Sequence, residues 1–127
     1  MHSGSDAPGS KIVSSSTRRE FVLQSLFFQN GCFIIISEGE PRIGALSVSI
    51  SAGAGKANTA KIIPSKYDSI FINTISEKVS SMINGICVVS LHSKTPLQLD
   101  DMKEIMAGIM TIIGRNHNEE THRQQFS

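Results

Sequence analysis

The sequence has no tryptophan, one tyrosine, two cysteines and almost no excess charge of either sign. Its 12 Lys and Arg against 11 Asp and Glu leave a formal net charge of +1, with four neutral histidines. Nonspecific nucleic-acid binding needs many cationic side chains to displace counterions, so this balance argues against a nucleic-acid partner. No apolar run reaches the roughly 18 residues that cross a bilayer, and no signal-peptide layout opens the chain. We therefore expect neither nucleic-acid nor membrane partners.

The two cysteines, Cys32 and Cys87, are far apart in the chain, and each lies inside an apolar run. They form no C-x-x-C pair and no disulfide framework, and they are too few for a cluster of metal ligands. We expect both to be buried, reduced thiols, which suits a cytoplasmic or nuclear location.

The length of 127 residues, with 39% hydrophobic and 18% charged residues, predicts one globular domain. Residues 1–17 are rich in Ser and Gly, and we interpret them as a flexible N-terminal segment. Residues 115–127 are polar and aperiodic, and we interpret them as a disordered tail. The single domain is therefore expected to span residues 18–114.

Three strands are predicted in the first half of the domain. The Asn30-Gly31 pair separates the apolar run 20–28 from the run 32–37, which predicts an antiparallel hairpin because both turn positions tolerate positive φ. Residues 43–51 alternate between polar and apolar, and we expect the apolar side to face the core and the serine side to face solvent. That inward set is Leu46, Val48 and Ile50.

A short fourth strand at 60–63, two helices and a buried strand are predicted in the second half. Asp68 is expected to cap a helix that ends with Gly85 in a left-handed conformation. The run 86–91 predicts a central strand covered on both faces, and Thr95-Pro96-Leu97-Gln98 has the form of a capping box for a helix ending at Gly114. The apolar stripes of the two helices are Ile72, Ile75, Val79, Met82 and Ile83, and Met102, Ile105, Met106, Ile109 and Ile113.

The predicted order is β-β-β-(β)-α-β-α, with the strands early and the helices late. Such an order indicates an α+β fold, an antiparallel sheet with two helices.

The stretch ISAGAGKANTAK, residues 50–61, looks at first like a phosphate-binding loop. That motif needs Gly-x-x-x-x-Gly-Lys-Ser/Thr, but the first glycine position is Ile50 and the residue after Lys56 is Ala57. No helix signal follows, and Pro64 points to extended chain. We interpret the stretch as a mobile connection between strands whose lysines could contact a partner.

No assembled active site is recognisable in the sequence. His117 and His122 are five residues apart, His92 stands alone, and no further zinc ligands accompany them. The acidic residues at 100, 101 and 104 fall where a helix begins, which favours carboxylates for electrostatic reasons. We therefore predict no catalytic residue, metal or cofactor, and keep an enzyme with a site dispersed around His92 and Asp100 as a minor alternative.

Apolar residues are more numerous than one small sheet must hide, which favours a docking surface over chemistry. The residues in question are Phe21, Phe27, Phe28, Phe33, Phe71, Met82, Met102, Met106 and Met110. Met110 and Ile112 fall off the main stripe of the last helix. Our candidate protein-binding residues are Lys56, Lys61, Lys103 and Met110.

Three segments resemble the type 3 and type 4 proteasome assembly chaperones. They are the opening hairpin followed by RIGALSVSIS at 42–51, then KIIPSKYDSIFINTISEKVSSMI at 61–83, and GICVVSLHSKTPLQLDDMKEIMAGIMTII at 85–113. The resemblance spans roughly residues 20–113, with type 4 features in SKYDSI and type 3 features in the last segment.

The resemblance implies a non-enzymatic chaperone that forms a heterodimer with a related small chaperone, or pairs with a second copy. The dimer would bind a proteasome α-subunit, of the α5 type, and help to order the α-ring of the 20S proteasome. The alternative is a roadblock- or longin-like platform for small GTPases or trafficking complexes. Those domains place their helices differently in chain order, whereas here three strands precede the first helix.

Overall fold

The computed structural model describes residues 9–51 and 57–125 of the chain. Its elements are β1 (Ser10–Ser14), β2 (Glu20–Phe28), β3 (Gly31–Glu38), β4 (Ala45–Ser51), β5 (Ala57–Ile63), α1 (Ser69–Ile83), β6 (Ile86–His92) and α2 (Leu99–Gln125).

The six strands form one sheet in the order β1-β2-β3-β6-β4-β5, and both helices pack on the same face of it. Helix α1 covers β4, β5 and β6, while α2 covers β1 and β2. The predicted α+β class is confirmed. The sheet is not wholly antiparallel, however, because β3 and β6 pair in parallel. A parallel neighbour requires a crossover, which the intervening elements between β3 and β6 supply.

The predicted hairpin joins β2 to β3, but Gly31 is needed there for a different reason. Neither Asn30 nor Gly31 has a positive φ. A Cβ atom at Gly31 would lie 2.2 Å from the carbonyl oxygen of Ile86, so only glycine lets β6 come this close. The Ile86 N–H also donates to the Asn30 carbonyl at 3.0 Å, which starts the parallel pairing at the turn.

A strand lies inside the N-terminal segment that the composition marked as flexible. β1 pairs with β2 in antiparallel register from Ser10 to Ser14, and Val13 is buried in the core. Gly108 of α2 packs so closely there that a Cβ atom would come within 2.8 Å of Val13 and 2.5 Å of Leu23. The flexible assignment is therefore wrong for residues 10–14.

Both helices occur, with different ends from those predicted. Asn84, not Gly85, takes the left-handed conformation after α1, with φ 53°. Gly85 is instead needed for close approach, since a Cβ atom there would lie 2.6 Å from the Asn30 carbonyl oxygen. Met82 is exposed rather than part of the buried stripe.

Helix α2 begins three residues later than predicted and runs beyond Gly114. The capping interaction is made at Gln98, whose N–H donates to Asp101 Oδ2 at 2.8 Å. Gly114 has no positive φ, so it does not end the helix. Residues 115–125 are helical, and the prediction of a disordered tail is wrong for them.

The hydrophobic core lies between the helices and one face of the sheet. Cys32 and Cys87 sit side by side in this core as free, buried thiols, as predicted, with their Sγ atoms 3.9 Å apart. Ile112 also belongs to the core, so its placement off the buried stripe was wrong.

Candidate protein-binding surface

Strand β4 turns its serines toward the helices and its apolar residues away from them. Ser47 and Ser49 are 1% and 0% exposed beneath α1. The two hydroxyls are satisfied there: Ser47 Oγ donates to Asn73 Oδ1 at 3.0 Å, and the Ser49 and Ser76 Oγ atoms are 2.7 Å apart. Buried hydroxyls are tolerated when they are hydrogen-bonded. The expected inward facing of Leu46, Val48 and Ile50 is therefore wrong.

The sheet face opposite the helices, here called the open face, is apolar across most of its width. The strand register places a row of apolar side chains across five neighbouring strands, with no polar member. From β2 to β5 this central row is Leu26, Phe33, Val88, Val48 and Ala60. Strand β6 is consequently covered by helices on one face only, not on both as predicted.

The rows on either side of the central row are mostly apolar and contain no ionisable side chain. By register they are Gln24, Ile35, Ser90, Leu46 and Ile63, and Phe28, Gly31, Ile86, Ile50 and Asn58. Ser90 itself is buried, and its hydroxyl accepts a hydrogen bond from the Gly44 N–H at 2.9 Å, so the face is covered at that point. Phe28 is 61% exposed and Leu26 is 56% exposed, although both are large apolar side chains. A monomeric protein rarely exposes a contiguous apolar patch of this kind, and absence of charge is typical of the centre of a protein interface.

The binding residues predicted from the sequence are not on the open face. Lys61 pairs with Ser47 and so belongs to the helix side, and Lys103 is exposed on α2. Met110 is half-buried and packs against the core, so it offers less surface than expected. Lys56 lies outside the described residues. Whether any of the four contacts a partner stays a prediction.

A polar cluster at one end of the sheet is organised by Arg19, which uses all five of its N–H donors. Nε and Nη2 donate to the two carboxylate oxygens of Glu38, at 3.1 and 2.7 Å. Nη1 donates to Asp101 Oδ2 at 3.0 Å. The two remaining donors bind the carbonyls of Thr95 and Pro96, at 3.0 and 2.9 Å. Arg19 thereby joins the start of β2 to the end of β3 and the start of α2.

Asp101 is fully buried and fully bonded within this cluster. Besides Arg19 and the Gln98 N–H, it accepts hydrogen bonds from the hydroxyls of Ser15 and Thr17. Burial by itself would raise the pKa of Asp101, but the bonds from Ser15, Thr17 and Gln98 and the charge of Arg19 bring it below its ordinary value. The bond from Arg19 likewise lowers the pKa of Glu38. Both carboxylates therefore stabilise the fold when ionised, and this stabilisation is lost as the pH falls through their lowered pKa values.

Asp68 is a second buried carboxylate at the same end of the sheet, and it is poorly bonded. It occupies the N-cap position of α1, as predicted, but its side chain makes no capping hydrogen bond. Oδ1 accepts one long bond from the Leu97 N–H at 3.4 Å, and buried Oδ2 has no partner in the described part of the chain. Burial raises the pKa of Asp68, and the Leu97 N–H, the nearby Ser93 hydroxyl and Arg19 offset this only in part.

Replacing Asp68→Asn is expected to raise the free energy of unfolding near pH 7 and to leave it unchanged near pH 3. The raised pKa means that the folded chain holds the proton more tightly than the unfolded chain does. The penalty for ionised Asp68 is thus absent at low pH, appears above the unfolded pKa of about 3.9 and is complete above the folded one. Urea unfolding at pH 7 and pH 3 measures the change in the free energy of unfolding, with Asp100→Asn at an exposed position as the control. A loss of stability near pH 7 would show that the carboxylate is usefully paired.

The other chemistry considered from the sequence finds no support in the described residues. Within residues 9–51 and 57–125, no three His, Cys, Asp or Glu side chains come together as a metal site. No hydrogen bond joins His92 to Asp100 there, and Asp100 instead accepts one from Ser16. Strands β4 and β5 pair antiparallel, so the stretch after Ser51 connects two strands and does not lead into a helix. No helix of the described part combines the length and apolar character of a membrane span.

Comparisons with known proteins bear on the fold. No protein-family model matches the chain, and no curated protein matches it. Among solved structures, it is similar to a chain in the crystal structure of a chaperone complex for yeast 20S proteasome assembly. The match has a TM-score of 0.52 at 11% sequence identity, and it covers 89% of this chain and 93% of the yeast chain. At this identity the likeness shows a shared fold.

Proposed function

We propose that this chain is a non-enzymatic chaperone of 20S proteasome assembly. It forms a dimer with a related subunit, and the dimer binds a proteasome α-subunit, of the α5 type, while the α-ring forms in the cytoplasm or nucleus. The proposal rests on the open apolar face. The fold shared with a chain of the yeast assembly-chaperone complex supports it, as do the sequence motifs at 42–51 and 85–113.

The open face has the size and chemistry of a subunit interface. The three rows span five strands about 4.8 Å apart, with about six residues each at 3.3 Å, which makes a face on the order of 500 Å² before side chains are counted. Each partner of a stable complex buries roughly 800 Å². The uncharged central row from Leu26 to Ala60 would form the dry centre of that interface, because it presents no group that must be desolvated without a partner.

A dimer formed through the open faces leaves the helix side of each subunit accessible. Lys61 and Lys103 are on that side, so they remain candidates for the α-subunit contact. The chaperone acts by holding its client in a defined orientation, and it needs no reacting group.

Light scattering of the purified chain at micromolar concentration tests the dimer. The expected mass is that of two chains, formed either by this chain alone or on addition of a related subunit that co-purifies with it. A strictly monomeric particle under both conditions would contradict the proposal.

A further inference from the structure

A cavity of about 450 Å³ lies where the N-terminal turns of α1 and α2 meet. Its walls include Ile70, Phe71 and Met102, and Asp68 also lines it. Ile70 is largely exposed although it is apolar. None of these residues is on the open face of the sheet, so the cavity stays available when that face is covered.

The carboxylates at this end of the sheet are not equally paired. Glu38 accepts a bidentate pair from Arg19 and a hydrogen bond from the backbone N–H of Lys94 at 2.8 Å, and the Lys94 charge also acts on it. Arg19 also pairs with Asp101, at 3.0 Å. Glu38 and Asp101 therefore each make a salt bridge with Arg19, whereas Asp68 makes none in the described part of the chain.

Neither neighbouring base is free to neutralise Asp68. All five donors of Arg19 are engaged elsewhere, as described above. Lys66 is two residues away, but its Nζ lies over the Tyr67 ring, 5.7 Å from the centroid, and it makes no salt bridge in the described part of the chain. Asp68 is 7% exposed, and burying a carboxylate without a charged partner is costly.

We propose that this cavity binds a lysine or arginine side chain of a partner protein. The aliphatic stem packs against Ile70, Phe71 and Met102, and the cationic head donates hydrogen bonds to the carboxylate of Asp68. Long basic side chains combine an apolar stem with a charged tip, which matches a mostly apolar lining that contains one carboxylate without a salt bridge. Because Oδ2 of Asp68 is shielded from water, binding includes a local rearrangement of the cavity wall that exposes this oxygen. The site does not depend on the dimer proposed above.

The first test uses n-butylammonium, the analogue of a lysine side chain, and n-butanol as its uncharged counterpart. In methyl NMR spectra at pH 7, n-butylammonium should shift the Ile70 and Met102 signals saturably, with a millimolar dissociation constant. Asp68→Asn should weaken this binding by about tenfold or more, since it removes one partner of a desolvated charge pair. Asp100→Asn, an exposed change on the neighbouring helix, should leave it unchanged. Equal binding of n-butanol, or equal binding by Asp68→Asn, would overturn the proposal.

The second test places a cation in the cavity from within the chain. Met102→Lys should be tolerated when Asp68 is present, and it should lower the urea midpoint markedly in the Asp68→Asn background. A double-mutant cycle isolates this coupling. A smaller loss of stability from Met102→Lys when Asp68 is present supports the site. Additive effects of the two changes would overturn the proposal, because they would show that a cation in the cavity does not reach Asp68.

Discussion

Val88→Asp is expected to convert the proposed dimer into a monomer while the subunit stays folded. Val88 is at the centre of the open face, where it pairs with Phe33 of β3 and Val48 of β4. In the dimer, an aspartate there would be buried without a counter-charge, because the three central rows contain no ionisable side chain. An unpaired charge at the centre of an interface costs several kcal/mol, and each 1.4 kcal/mol weakens association about tenfold.

The matched control is Ala107→Asp, which adds the same charge at an exposed position of α2. Val88 is only half-buried in the subunit, so Val88→Asp should lower subunit stability by no more than about 1–2 kcal/mol. Sedimentation velocity should show a monomer for Val88→Asp and a dimer for Ala107→Asp. A dimer of unchanged affinity in Val88→Asp would place the interface elsewhere.

Arg19→Ala is expected to lower the free energy of unfolding by about 3–5 kcal/mol, the usual cost of removing one partner of a buried ion pair while the other stays buried. The change leaves fully buried Asp101 with uncompensated charge, frees Glu38 and leaves two carbonyls without donors. It also removes a guanidinium that lies 5.5 Å from the centre of the Phe21 ring. A domain of this size has a free energy of unfolding of only about 5–15 kcal/mol, so the change would remove a large share of its stability.

Urea unfolding of Arg19→Ala, Arg19→Lys and Arg42→Ala distinguishes the stability that comes from the charge of Arg19 from the stability that comes from its hydrogen-bond geometry. Lysine keeps the charge but cannot supply five donors in a planar fork, so Arg19→Lys should recover only part of the loss. Arg42 is exposed, and its replacement should cost no more than about 0.5 kcal/mol. A loss below about 1 kcal/mol in Arg19→Ala would mean that the cluster contributes little to folding.

Local patterns in the sequence were sufficient to locate β2, β3, β6 and α1. The apolar runs that became β2, β3 and β6 are strand-length and bounded by turn residues, and the helix stripe of α1 has the correct period. β1 was missed because SKIVS is a short segment among serines, and it becomes a strand only by pairing with β2. α2 was cut short because glycine is a common end signal, yet Gly114 keeps ordinary helical geometry.

The open face could not be assigned from alternation alone. A strand such as β4 shows two sides, and its serine side was expected to face solvent because serine is usually exposed. Ser47 and Ser49 are buried because Asn73 and Ser76 of α1 satisfy their hydroxyls, and those partners are more than 25 residues away in the chain. The Arg19 cluster could not be predicted from the sequence for the same reason, since its members come from three distant segments that only the fold brings together.

The most direct test of the assembly-chaperone account is an affinity pull-down from lysate of the source organism. Wild-type chain and Val88→Asp would be compared, and bound proteins identified by mass spectrometry. The account predicts that wild-type chain recovers proteasome α-subunits together with a second small α+β protein, and that Val88→Asp loses the small protein. Recovery of small GTPases or trafficking subunits, with no proteasome subunit, would contradict the account and would favour the binding-platform alternative.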